Sequence, residues 1–249
     1  MDLSIVVPAF NEEEGISSFV YSLKRVLDTL ELELEVIAVN DGSKDKTLEK
    51  LLDISWPQLK VLDLVANSGH MAALEAGLKI SKGKMVITLD ADQQHPVECI
   101  PEMIRIQSAS QCDVVAGVRV RGKEEVWLRR KLSTQFYKIL SRLSNVKIEE
   151  NAADFRLITR EVLEEILKSP EINKVFRFLI SDYGYKIQTF NFIANKREFG
   201  KSKYKISNLV KLAIQSLIGF STKPLSAIFI SGFVFLTAGI LYAAFLVVS

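Results

Sequence analysis

The sequence predicts a mostly parallel, doubly wound α/β sheet followed by a membrane-crossing tail, in a chain of 249 residues. Three observations carry this. Short apolar runs alternate with helix-patterned segments along the first half of the chain. The runs lead into clusters of polar and glycine residues. The last 26 residues, Pro224 to Ser249, hold no charged side chain.

The first run, Leu3 to Val7, leads into Pro8-Ala9-Phe10-Asn11-Glu12 and a helix over Gly15 to Leu30. The second, Leu34 to Val39, ends in Asn40-Asp41-Gly42-Ser43 before a helix over Lys44 to Ile54. The third, Lys60 to Leu64, is followed by Asn67-Ser68-Gly69-His70 and a helix over Met71 to Ile80. The fourth, Lys84 to Leu89, ends in Asp90-Ala91-Asp92 before a helix over Val97 to Ser108. The fifth, Asp113 to Gly117, closes on Gly117-Val118-Arg119. In a doubly wound sheet ligands bind beyond the carboxyl ends of the strands, which is where these clusters fall.

Beyond the fifth run lies a basic helical stretch, Glu125 to Leu143, and then Asn151 to Leu157, read as a short strand or a loop. A helix over Arg160 to Leu167 and an alternating, strand-like Lys186 to Ala194 complete the globular part. Between Lys205 and the tail, Ile206, Leu209, Val210, Ala213, Ile214, Leu217 and Ile218 recur at helical spacing, opposite Asn208, Lys211, Gln215 and Lys223. Such a helix lies in a membrane interface or docks on the domain core.

The stretch Ile228 to Val248 is long enough to cross the roughly 30 Å hydrocarbon layer as a helix. Seven basic residues, Lys196, Arg197, Lys201, Lys203, Lys205, Lys211 and Lys223, precede it against the single acid Glu198. The positive-inside tendency then puts the N-terminal domain on the cytoplasmic side of the cytoplasmic membrane. Three parts are expected: a catalytic domain over 1–200, a juxtamembrane segment over 201–223 and a span over 224–249. The absence of a polar flank after the span leaves further spans as an expectation. With 32 basic and 30 acidic residues the net charge is +2, which calls for no nucleic acid. Cys99 and Cys112 lack metal spacing and fit a reducing compartment.

Two carboxylates at i and i+2 after a buried strand, Asp90 and Asp92, repel each other and are costly to desolvate unless a cation lies between them. The pair therefore points to a divalent metal, which would take phosphate oxygens to fill its shell. No glycine-rich phosphate loop of the G-x-G-x-x-G or G-x-x-x-x-G-K-S/T kind occurs, so metal and side chains must hold the phosphates. Asp41 before Gly42 is placed to accept from a base or ribose, although Asp-Gly-Ser is also an ordinary turn with a helix cap. His70 and His95 stand apart from any histidine cluster, which favours hydrogen bonding within loops over metal ligation.

The combination of Val6-Val7-Pro8-Ala9-Phe10-Asn11-Glu12, Val39-Asn40-Asp41-Gly42-Ser43 and Asp90-Ala91-Asp92 resembles the family 2 glycosyltransferases with their GT-A fold. Asp90 to Glu98, Gly117-Val118-Arg119, Arg129-Arg130-Lys131-Leu132-Ser133, Glu149 to Leu157 and Gly200-Lys201-Ser202-Lys203-Tyr204 are similar to the polyprenyl-phosphate branch. That branch includes dolichyl-phosphate mannose synthases and bacterial GtrB-type enzymes that load glucose onto undecaprenyl phosphate. The resemblance runs in order from residue 3 to about residue 225.

It implies that Pro8, Ala9, Glu12 and Asp41 line a nucleotide pocket, that Asp90 lies beside ribose and diphosphate, and that Asp92 and Gln94 ligate Mg²⁺ or Mn²⁺. The implied acceptor is a polyprenyl monophosphate, bound by Arg119 and Arg130 with Ser133 as a neutral donor. Guanidinium forks suit phosphate. Lys201, Lys203 and Tyr204 would form a flap over the donor phosphates, or carry plain interfacial charge. Asp154 orients the sugar or the acceptor phosphate, or pairs with Arg156. Relatives commonly carry an arginine where Ala66 stands and an acid where Gln215 stands.

The implied reaction is inverting transfer of one hexose from a nucleotide-sugar to undecaprenyl phosphate. UDP-glucose is the first donor to test, because Lys147 to Arg156 looks most like the bacterial branch. Other UDP-hexoses and GDP-mannose stay open. The alternatives are a membrane glycosyltransferase that lengthens a polysaccharide or glycolipid, and a catalytically silent membrane scaffold. The Q-x-x-R-W segment usual in processive synthases is missing from this chain. A homo-oligomer through the membrane segments is a further expectation.

Overall fold

The computed structural model describes residues 1–120, 152–168, 184–195 and 223–248. They belong to two compact units, one built on the sheet and one containing the terminal helix.

The sheet has seven strands: β1 (Leu3–Ala9), β2 (Leu34–Asn40), β3 (Leu59–Asp63), β4 (Met85–Thr88), β5 (Val114–Arg119), β6 (Ala152–Thr159) and β7 (Ile187–Phe192). Their spatial order is β3-β2-β1-β4-β6-β5-β7. β1 pairs in parallel with β2 and β4, β2 with β3, and β5 with β7. β6 alone among the described strands runs antiparallel, between β4 and β5. The expected mostly parallel α/β sheet is therefore what forms. The segment left open as a short strand or loop is an eight-residue strand in the middle of the sheet.

The central strands are apolar on both sides because helices cover both sides. All seven residues of β1 are buried. Ile5 and Val7 join Ala38 and Ile87 on one face, packed with Phe19, Leu23 and Leu27 of α1 (Ile16–Leu27) and Met103 of α4 (Ile100–Ser110). Leu51 of the short α2 (Thr47–Leu52) belongs to the same layer. Val6, Ile37 and Val39 point the other way, against Ala73, Leu74 and Leu78 of α3 (His70–Ile80) and Leu163 and Ile166 of α5 (Arg160–Lys168). A methyl group on Gly77 would come within 2.5 Å of Val6 Cγ1 and 2.8 Å of Val39 Cγ2, so α3 lies directly on the sheet.

The second unit contributes α6 (Lys223–Val248) to the described residues. At 1.5 Å per residue its 26 residues reach about 39 Å. Its stretch Phe229–Leu246 is, among the described residues, the one helix long and apolar enough to cross a membrane. Phe229, Phe233, Val234, Phe235, Tyr242 and Phe245 all stand exposed, so the helix is apolar around its circumference, as a lipid-facing helix is.

Candidate active site at the switch point of the sheet

Strand order reverses between β1 and β4, so the loops that follow them diverge and open a crevice at their carboxyl ends. Pro8 and Ala9 close β1 on one side of it. The turn Asp90 to His95 closes β4 on the other.

The loop after β1 is laced to the loop after β2. Asn11 N–H donates to Ser43 Oγ at 2.9 Å, Lys44 N–H to Asn11 Oδ1 at 2.8 Å, and Glu12 N–H to Thr47 Oγ1 at 2.8 Å. Glu12 then leads through a turn into α1, its carbonyl accepting from the N–H groups of Gly15 and Ile16. Asp41, 2% exposed, is committed to the next loop. Its carboxylate accepts from Ser68 N–H at 2.7 Å, Gly69 N–H at 3.0 Å and Asn67 Nδ2 at 3.0 Å. Asp41 thereby clasps the segment that launches α3. Gly42 makes the same junction possible, since its φ of +62° and its closeness to Ala66 leave no room for a side chain.

On the β4 side the backbone N–H of Asp90 donates to Nδ1 of His95 at 3.0 Å, and His95 stacks on Phe155. The expectation of loop hydrogen bonding holds for this histidine. Gln93 adopts a φ of +62°, a costly conformation for a side-chain-bearing residue. Its amide is held by Gly15 O at 3.1 Å and Ser18 Oγ at 2.8 Å, tying the turn to α1. Gln94 closes on Asp92 twice, from its N–H to Oδ1 at 3.1 Å and from Nε2 to Oδ2 at 2.9 Å. Its own side-chain oxygen accepts from Arg119 Nη1 at 3.2 Å. Arg119, Gln94 and Asp92 thus form one run from the end of β5 to the end of β4.

His70 is the residue whose place was not foreseen. It begins α3 instead of lying in the preceding loop, and its Nε2 stands 3.6 Å from Asp90 Oδ1 and 3.8 Å from Asp154 Oδ2. Asp154 sits on β6, where its carbonyl accepts from Thr88 Oγ1 at 2.7 Å. Burial pushes the Asp90 carboxyl above the usual carboxylate range; His95 and His70 oppose the rise, and the Asp154 and Asp92 carboxylates add to it. The available signal was the position of His70 after Asn67-Ser68-Gly69 on the ligand edge, not a cluster of histidines.

Among the described residues no group of three or more His, Cys, Asp and Glu side chains is arranged to hold a metal. The donors present, the Asp92 carboxylate and the Gln94 amide oxygen, are hard oxygens on one turn. They fit a cation that completes its shell with phosphate and water, the habit of Mg²⁺ and Mn²⁺, rather than a closed protein cage. Gln94 would have to turn its amide over and release Arg119 to offer that oxygen. Arg130, Ser133 and Lys203, along with Arg129, Lys131, Lys201 and Tyr204, lie outside the described residues.

The pattern of the family described as "Glycosyl transferase family 2" matches residues 4–167. The chain is 35% identical over 241 residues to "Uncharacterized glycosyltransferase YkcC" of Bacillus subtilis (strain 168), covering 96% of this chain and 74% of that one. It is 36% identical over 250 residues to "Bactoprenol glucosyl transferase" of Shigella phage SfX, covering 100% of this chain and 82% of that one. Among solved structures, "Mannosyltransferase PcManGT from Pyrobaculum calidifontis in complex with GDP-Man and Mn2+" superposes with a TM-score of 0.60 at 18% identity, over 90% of this chain and 64% of that one. A likeness at that identity establishes the fold, which is GT-A.

Proposed function

Because this chain belongs to glycosyl transferase family 2, we propose that it moves a single hexose from a nucleotide-sugar to a polyprenyl phosphate at the cytoplasmic face of the membrane. Undecaprenyl phosphate is the acceptor and UDP-glucose the donor in this reading. It draws support from the bactoprenol glucosyl transferases, similar over the whole chain, and from the apolar helix that can anchor a lipid-handling enzyme. One observation carries it at the site: the hydrogen-bonded run from Arg119 through Gln94 to Asp92. In this reading it would link the guanidinium that meets the lipid phosphate to the carboxylate that holds the divalent cation.

In the proposed reaction an oxygen of the lipid phosphate attacks the anomeric carbon from the face opposite the nucleoside diphosphate. The new C–O bond forms as the bond to the diphosphate breaks, and the anomeric centre inverts. A phosphate monoester with a second pKa of about 6 is largely dianionic at neutral pH, so it needs no strong general base. It needs orientation, and Arg119, with Arg130 and Ser133, supplies positive charge and donors that aim it. Asp92 and Gln94 would hold Mg²⁺ or Mn²⁺, which neutralises charge on the leaving diphosphate when bound. In this reading Pro8, Ala9, Glu12 and Asp41 would border the nucleotide pocket, Asp90 would face ribose and diphosphate, and Lys203 would serve the donor phosphates.

The test is transfer of radiolabel from UDP-glucose to undecaprenyl phosphate by the full chain in detergent, read in the organic phase. Metal-dependent label in that phase, lost in Asp92→Ala, is the expected result. Label confined to a water-soluble glycan would favour chain elongation instead, and no turnover with any nucleotide-sugar would favour a silent scaffold. Native-rate turnover by Asp92→Ala would remove Asp92 from the metal site.

A further inference from the structure

His70, Asp90 and Asp154 come from three separate elements, α3, the end of β4 and β6, and meet at the crevice. The meeting is engineered locally: Asp41 fastens the backbone of Ser68 and Gly69, and Gly69 at φ +92° turns the chain into α3 with His70 as its first residue. The separations of 3.6 and 3.8 Å from Nε2 to the two carboxylates exceed a direct hydrogen bond, which for N–H···O ends near roughly 3.2 Å. Polar groups held just beyond contact are commonly bridged by a small hydroxyl or water. The His70 and Asp90 side chains are each about a third exposed and Asp154 16%, so the gap is open to an incoming group.

The chemistry of the gap selects its occupant. Nε2 of an imidazole donates or accepts, and ionised carboxylates only accept. A phosphate brings only acceptors and negative charge, so it has no proton to give either carboxylate and would meet them through a cation instead of filling the gap directly. An apolar chain offers none of the three a hydrogen bond. A sugar hydroxyl donates one hydrogen bond and accepts others, so it can donate to a carboxylate while accepting from the imidazole. We propose that His70, with Asp90 and Asp154, forms the subsite for the hydroxyls of the transferred hexose, and that His70 is a specificity-determining residue of the donor. This inference rests on the nucleotide-sugar reading above.

The full chain in detergent, with Mn²⁺, is titrated calorimetrically with UDP, UDP-glucose, GDP and GDP-mannose. His70→Phe keeps a ring of similar size and removes the polar nitrogen. His70→Gln places an amide nitrogen near the position of Nε2. For the nucleotide that binds, His70→Phe is expected to weaken the sugar-bearing form about tenfold, as loss of a hydrogen bond of about 1.4 kcal/mol requires, and to leave the bare diphosphate within about twofold. His70→Gln is expected to retain most of the wild-type affinity for the sugar-bearing form. Equal affinity of wild type and His70→Phe for the sugar-bearing form overturns the subsite alone, as does a parallel loss for the bare diphosphate. Wild-type protein that binds none of the four overturns the nucleotide-sugar reading and the subsite with it.

Discussion

Nδ1 of His95 accepts the backbone N–H of Asp90 at 3.0 Å while its ring lies stacked on Phe155 and edge-on to Phe192. The first residue of the acidic turn is thereby pinned to an aromatic cluster rooted in β6 and β7. The ring is 7% exposed, so little water can replace it as an acceptor. His95→Phe should cost about 1–3 kcal/mol of stability, the usual penalty for stranding a buried donor. His95→Asn, whose side-chain oxygen can accept in place of Nδ1, should recover part of that loss. Thermal unfolding of the two variants checks it, and a wild-type melting temperature for His95→Phe would show that the bond contributes nothing.

Arg119 closes β5 as an exposed residue, and its donation to Gln94 places the guanidinium at the edge of the crevice. Replacing it with alanine should raise the KM for the lipid phosphate about tenfold or more, with the nucleotide-sugar KM changed far less. Lysine should fail to restore it, because an ammonium lacks the planar fork that grips phosphate at two points. Steady-state kinetics with each substrate varied in turn separate these outcomes. Equal effects on both substrates would assign Arg119 to the fold of the turn instead.

Gly42 carries the junction between Asp41 and the 66–69 loop. A β-carbon there would lie 2.5 Å from the Ala66 carbonyl carbon and 2.6 Å from Asn67 N, at a φ of +62°. Both contacts are with backbone, which cannot swing aside as a side chain does. Gly42→Ala should therefore destabilise the protein by at least about 1–3 kcal/mol and weaken nucleotide binding through the displaced loop. Paired melting and calorimetric measurements test it.

Glu35 lies at the opposite end of the sheet, 1% exposed, accepting from Lys60 Nζ at 2.6 Å, Ser4 Oγ at 2.7 Å and Lys82 N–H at 2.7 Å. Burial alone would raise its pKa, but the hydrogen bonds from Lys60, Ser4 and Lys82 and the charge of Lys60 outweigh burial and hold it below the ordinary value. A carboxyl depressed in the folded state contributes stability that is present above its unfolded pKa and is lost as pH falls through the lowered folded value. Glu35→Gln should thus be less stable than wild type at neutral pH, with the gap narrowing under acid conditions below about pH 4. A gap that stayed constant from pH 7 to pH 3 in chemical denaturation would contradict the linkage.

Local pattern exposed most of the sheet unit and hid its middle. β1, β2 and β4 announce themselves as apolar runs because helices cover both their faces, and the polar clusters behind them mark the ligand edge. β6 is harder to see. Its sequence mixes Asp154 and Arg156 with Phe155 and Leu157, and its pairing partners, Met85 to Thr88 and Val114 to Val118, lie far away along the chain. A strand stabilised by distant neighbours leaves a weak local trace. The helix expected over Lys44 to Ile54 is Thr47–Leu52, and before it Asp45 turns its carboxylate onto the N–H groups of Thr47 and Glu13.

By itself the sequence determined the alternation of strands and helices, the edge on which polar residues gather, the paired carboxylates Asp90 and Asp92, and the apolar tail, since hydrophobic period and turn chemistry act between near neighbours. Only the tertiary structure decided that Asp41 grips the start of α3, that Gln94 stands between Arg119 and Asp92, and that His70 faces Asp90 and Asp154 together. Those relationships depend on β4 lying between β1 and an antiparallel β6. That strand order is set by packing across the whole sheet, which no short stretch of the chain encodes.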